Sequence, residues 1–166
     1  MRTDLGLCYV YGMGYDDIRN IASIVGGDNT YRHFVKRINK EFEMADEDRN
    51  AHVYVLYQKN KAGKEVGFVV IGHSAAKMRT WEETFKEEGW VDEKFKMDWP
   101  CFELMYMYVK PKERQKGLGS KLFDKVLSFT NKEKIKGIYA YVGDKGPAAI
   151  EFYQHKGAKV LTNLSE

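Results

Sequence analysis

The chain is expected to fold as an α/β protein, a mixed sheet with helices on both faces. Three observations predict this. The apolar stretch Phe102 to Val109 runs into a turn, Arg114-Gln-Lys-Gly117-Leu-Gly119, and the turn opens a segment whose Leu122, Phe123, Val126, Leu127 and Phe129 recur at helical spacing. Two Val- and Tyr-rich stretches, His52 to Gln58 and Glu65 to Ile71, flank Lys59-Asn-Lys-Ala-Gly63 and read as a hairpin. The C-terminal third then alternates strand and helix.

Leu5 to Tyr11 reads as a first strand, broken by Gly12 and Gly14. Asp16 to Val25 reads as a short helix, with an aspartate at its N-terminus. Tyr31 to Met44 places Phe34, Val35, Ile38 and Phe42 on one stripe, as a second helix does. After the hairpin, residues 73–101 form a long polar insertion with scattered tryptophans. Thr80 to Glu88 looks helical within it, and the rest reads as a loop or lid. Lys136 to Val142 is the next strand. Pro147 to His155 is a helix with proline in its first turn, Gly157 ends it, and Ala158 to Leu164 is a last strand.

At 166 residues, 43% hydrophobic and 14% aromatic, the chain suits one domain spanning 1–166 with a real core. A net charge of +3 is too small to argue for nucleic acid. Two cysteines, Cys8 and Cys101, form no metal-ligand cluster and no disulfide framework. No apolar run approaches the roughly 20 residues needed to span a bilayer. The N-terminus lacks a secretory apolar region. These features lead to the expectation of a cytoplasmic protein without a metal, membrane or nucleic-acid partner.

The positive excess is local. Lys110, Lys112, Arg114, Lys116, Lys121 and Lys125 crowd the glycine turn, against Glu113 and Asp124. A glycine turn between strand and helix lets the backbone approach a ligand, and the first helical N–H groups then face an anion. A phosphate-bearing small molecule is the natural ligand; a solvated helix face is the bland alternative. No Gly-Lys-Ser/Thr follows at the spacing a mononucleotide P-loop requires.

The segment Met107 to Leu122, with Val109-Lys-Pro111 followed by Arg114-x-x-Gly117-x-Gly119, resembles the acetyl-CoA-binding motif of the GCN5-related N-acetyltransferases. Downstream, Ala149-Ile-Glu-Phe-Tyr153-Gln-His-Lys-Gly157-Ala158 is similar to that family's tyrosine-bearing helix. Gly146 stands where the family often has Asn, and Ala158 where it usually has an aromatic. The resemblance implies a mixed, mostly antiparallel central sheet of six to seven strands with helices on both faces. It implies acetyl-CoA as cofactor and an amine as acceptor, in a monomer or homodimer. The acetyl group would pass directly to the amine in a ternary complex.

The resemblance also implies roles. Arg114, Gln115, Lys116, Gly117, Leu118, Gly119 and Ser120 would hold the diphosphate through backbone N–H groups. Met107, Tyr108 and Val109 would pair with the pantetheine arm as an added strand does. Tyr153 would protonate the departing thiolate. Glu103, eleven positions before Arg114, matches a glutamate that serves histone-type members as general base. Cys101 as an acetylated nucleophile has no partner in the sequence. Glu82, Glu83, Glu87 and Glu88 beside tryptophans suit a cationic acceptor, although lysines interleave with them. A non-catalytic acyl-CoA-binding member of the same fold is the alternative function.

Overall fold

The structure is a computed structural model, and it describes residues 7–9, 15–28, 36, 52–73, 75–142 and 147–161. The elements are β1 (Leu7–Tyr9), α1 (Tyr15–Val25), β2 (His52–Lys59), β3 (Glu65–His73), α2 (Ala75–Glu87), β4 (Cys101–Val109), α3 (Leu118–Lys132), β5 (Gly137–Tyr139) and α4 (Pro147–His155). The helix expected over Tyr31 to Met44 lies outside the described residues except at Lys36, which is helical.

The strands form one sheet in the order β1-β2-β3-β4-β5. The first three pairings are antiparallel, and β4 pairs with β5 in parallel. The sheet is therefore mixed and mostly antiparallel, as expected, but its described strands number five rather than six to seven. The strand expected over Ala158 to Leu164 is corrected over residues 158–161; residues 162–164 lie outside the described residues. After α4, Gly157 takes φ +96°, and the Ala158 N–H folds back to the Tyr153 carbonyl at 3.0 Å. Residues 158–160 then carry no strand. The side chain of Leu161 is drawn instead into a small apolar cluster beside α2.

Alternation along the strands sorts side chains to two faces. Val55, Tyr57, Phe68, Val70, Tyr106 and Tyr108 meet Ile18, Ile21, Ile24 and Val25 of α1. Tyr54, Leu56, Val69, Ile71, Phe102 and Leu104 meet Leu122, Phe123, Val126 and Phe129 of α3. Each of these α3 side chains contributes roughly 1.5–3 kcal/mol by leaving water. The hairpin turn is held by the Asn60 side chain, whose Oδ1 accepts the N–H groups of Ala62 and Lys64 at 3.0 Å each.

One irregularity matters for the site. Val70 faces Tyr106 and Ile71 faces Leu104, so Met105 is left unpaired as a β-bulge. Because of it, Phe102 and Leu104 share the α3 face with Met107 and Val109, although Met107 follows Leu104 by three positions, an odd offset.

The insertion is more structured than its polarity predicts. α2 begins at Ala75, five residues before the expected Thr80, and runs to Glu87. Met78, Phe85, Val91, Met97 and Cys101 make a third core, with Trp81, Trp90, Phe95 and Trp99 packed at its margin. Among the described residues, no helix is long and apolar enough to cross a membrane.

Candidate active site

The site is built where β4 gives way to α3. The backbone leaves β4 with the Lys110 N–H bonded to the Val66 carbonyl at 2.9 Å. It then turns through a short 3-10 segment, Pro111–Glu113. Two residues next adopt positive φ: Gln115 at 63° and Gly117 at 79°. Gly117 is the N-cap of α3, with ψ 5°. A Cβ there would touch nothing within 4 Å, so the left-handed backbone rather than crowding is what favours glycine. The first α-helical bond runs from the Lys121 N–H to the Gly117 carbonyl at 3.1 Å. The amides of Leu118, Gly119 and Ser120 precede it, at the positive end of the helix dipole.

Arg114 behaves differently from its neighbours in the turn. Its Nε donates to the Val109 carbonyl at 2.8 Å, and its guanidinium lies 5.6 Å from the Tyr108 ring centroid. Its own N–H donates to the Pro111 carbonyl at 3.3 Å. Arg114 therefore braces the turn against the end of β4. The buried Tyr108 extends that brace, donating its hydroxyl to Asp28 Oδ2 at 2.9 Å. Lys116 meets Glu113 at 3.4 Å, and Glu113 in turn accepts from Asn60 of the hairpin at 3.3 Å.

The second part of the site is an open strand edge. β5 pairs with β4 only from Cys101 to Glu103. From Leu104 to Val109, β4 has no strand on that side among the described residues. Met107, Tyr108 and Val109 thus stand beyond the last β5 pair, on an edge where the Val109 carbonyl accepts from Arg114 Nε. α4 lies across the opening. The Tyr153 hydroxyl donates to Met107 Sδ at 3.9 Å, a soft and weak partner. Phe123 and Phe152 hold the Tyr153 ring at centroid distances of 6.0 and 5.6 Å. Burial pushes the Tyr153 phenol up to about 12, so it keeps its proton at neutral pH.

The structure brings the glycine turn, Met107 and Tyr153 to one place: an added Cβ on Gly119 would sit 4.0 Å from both Met107 and Phe152. Helix-start amides, a basic surround and a strand end leading to a phenol fit a ligand that joins a diphosphate to an extended amide-bearing arm. Coenzyme A has that form. Glu103 stands at the last β4–β5 pair, opposite Tyr139. Its side chain is 13% exposed and forms an ion pair with Lys77 of α2 at 2.8 Å. Lys77 was not legible as a site residue, because nothing local to α2 indicates the strand it reaches.

Two other candidates are placed plainly. Cys101 is buried, and its thiol is pushed up to about 11, first by burial and then by the charges of Glu82 and Asp98. It is a thiol, not a thiolate, at neutral pH. Of the acids in the insertion, Glu82 is engaged internally. It accepts from Trp99 Nε1 at 3.2 Å and from the Met97 N–H at 3.3 Å, and Lys86 is 3.7 Å away. Arg79, Glu83 and Trp99 line an open groove beside it.

A mixed sheet whose fourth strand parts from its neighbour above a glycine-capped helix defines an acyltransferase-like fold. Residues 18–158 match the model of the acetyltransferase (GNAT) family, and the chain belongs to that family. No curated protein sequence matches the chain. Among solved structures, the ribosomal-protein-alanine N-acetyltransferase of Brucella melitensis biovar Abortus 2308 is 14% identical, with a TM-score of 0.53 over 93% of this chain and 92% of that one. An aminoglycoside N-acetyltransferase in complex with CoA is 11% identical, with a TM-score of 0.55 over 93% and 92%. A possible acetyltransferase from Clostridium difficile 630 is 17% identical, with a TM-score of 0.54 over 93% and 90%. At these identities the likeness is one of fold.

Proposed function

We propose that the protein is an acetyl-CoA-dependent N-acetyltransferase that moves an acetyl group to a primary amine in a ternary complex. The observation that carries this reading is that, among the described residues, β5 leaves β4 at Glu103, so that the end of β4 runs between the capped start of α3 and the Tyr153 hydroxyl. Bound acetyl-CoA supplies an activated acyl thioester. The amides of Leu118, Gly119 and Ser120 hold the diphosphate, with Gln115, Lys116 and Gly117 shaping the turn around it. The main chain of Met107, Tyr108 and Val109 pairs with the pantetheine arm. Tyr153 keeps its phenolic proton and gives it, or a hydrogen bond, to the departing sulfur.

An aliphatic amine with a pKa near the free value of roughly 10 arrives as an ammonium ion. Glu103, at the mouth of the opening, takes that proton directly or through water. Its ion pair with Lys77 means that an arriving ammonium competes with a resident one for the same carboxylate. That pair is also what favours the second reading, a binding module that holds acyl-CoA without transfer. Release of CoA with a panel of small amines, polyamines, aminoglycosides and peptides tests the choice. Acceptor-dependent release supports transfer. Tight acetyl-CoA binding with no release across the panel supports the binding module, and no binding of CoA by calorimetry defeats both.

A further inference from the structure

Lys156 has no assigned role, yet it reaches from the end of α4 to the first turn of α3. Its Nζ donates to Ser120 Oγ and meets Asp124 Oδ1 at 3.2 Å. The Lys156 side chain is 21% exposed and that of Asp124 is 64% exposed. The arrangement is electrostatically odd. An ammonium group stands over the positive end of a helix, where a cation is disfavoured, and the carboxylate that meets it lies mostly in water. Lys116 and Lys121 are exposed on the same turn. A cation held in such a place is made favourable by an anion arriving between it and the helix amides.

We propose that Lys156 is a diphosphate-binding residue, closing over the α3 N-terminus from the α4 side and using Ser120 as its hinge to the turn. The inference rests on the acetyl-CoA reading above and adds to it a contact from a second helix. Because Lys156 lies three residues after Tyr153, the contact ties the anion site to the helix that carries the phenol. Diphosphate binding would thereby set the position of Tyr153 over the open edge. Asp124 acts against the ligand, as a resident carboxylate that the diphosphate replaces at Lys156 Nζ.

Calorimetry with coenzyme A and with dephospho-coenzyme A, which lacks only the 3′-phosphate, tests this. Lys156→Met is expected to weaken both ligands by the same factor, roughly 10- to 100-fold, as loss of a charge-assisted bond predicts. Its affinity should also fall less steeply with added salt than that of the wild type. Lys156→Arg should restore most of the affinity. Asp124→Asn should tighten binding by roughly threefold, within the range of a surface ion pair. Wild-type affinity in Lys156→Met overturns the proposal, as does an unchanged salt dependence or an effect confined to coenzyme A. A loss in Lys156→Met that Lys156→Arg shares would mark a packing role and overturn it too. If the wild-type protein binds no coenzyme A, the acetyl-CoA reading itself has failed, a result distinct from equal affinities in wild type and variant.

Discussion

At the scale of single residues, Tyr153 has a half-buried ring and, among the described residues, a thioether as the partner of its hydroxyl. Replacing it by phenylalanine keeps the ring packed on Phe123 and Phe152 and removes the proton. Tyr153→Phe should lower kcat by roughly a hundredfold, the usual scale for a positioned acid, with acetyl-CoA affinity nearly unchanged; wild-type turnover would remove the acid role. A second consequence concerns pH. Burial raises Tyr153 from 10.0 to about 12 and Cys101 from 9.0 to about 11, so the folded chain holds both protons more tightly than the unfolded chain does. Their contribution to stability is complete below the unfolded values and is lost as pH rises through the folded ones. Denaturant midpoints should therefore lose ground between about pH 9 and 12 because of these groups, and a Cys101→Ala, Tyr153→Phe double variant should lose less.

At the scale of elements, the strand–turn–helix unit was legible because its determinants are local. Positive φ at Gly117, the apolar stripe of α3 and the apolar run of β4 lie within about thirty consecutive residues, each with its own signature. The bulge at Met105 was not legible, since no glycine or proline marks it; it arises from pairing with β3, which is set elsewhere in the chain. The ion pair between Lys77 and Glu103 was hidden for the same reason. The start of α2 was missed because Ala75-Ala-Lys-Met reads as weakly amphipathic. Met78, Trp81 and Phe85 do share helical spacing, but their burial depends on the β4 end and on Val91 and Met97. Two glycines give contrasting tests at this scale. Gly117→Ala forces a side chain into left-handed backbone, a cost of roughly 1–2 kcal/mol, and disturbs the turn, so both melting temperature and coenzyme A affinity should fall. At Gly137 a Cβ would come within 2.8 Å of the Asp98 carbonyl oxygen and the Tyr139 ring. Gly137→Ala should cost roughly 1–3 kcal/mol by overpacking. Its coenzyme A affinity should be spared, and equal losses of affinity in the two variants would contradict the assignment of the turn.

At the scale of the whole molecule, the sheet carries one large core on each face, and the site lies at its edge between β4 and α4. A ligand bound as proposed would join α3, β4 and α4, which the described structure links through Phe123, Met107, Phe152 and Tyr153. Coenzyme A at a hundredfold above its dissociation constant should stabilise the fold by about 2.7 kcal/mol, raising the melting temperature by roughly 5–10 °C. A thermal shift with coenzyme A that adenosine alone does not reproduce is the expected result; no shift with either would contradict the site.

The unpaired Met105 fixes the phase of β4. Were Met105 instead paired in regular alternation, with no bulge, the ladder to β3 would slip by one residue and inside would swap for outside along half of the strand. Either Phe102 and Leu104 would turn away from α3, or Met107 and Val109 would, and Tyr153 would then face a tyrosine rather than the thioether it now meets. The bulge is thus what lets a strand with one residue too many finish a core at one end and keep Met107 turned toward the phenol at the other.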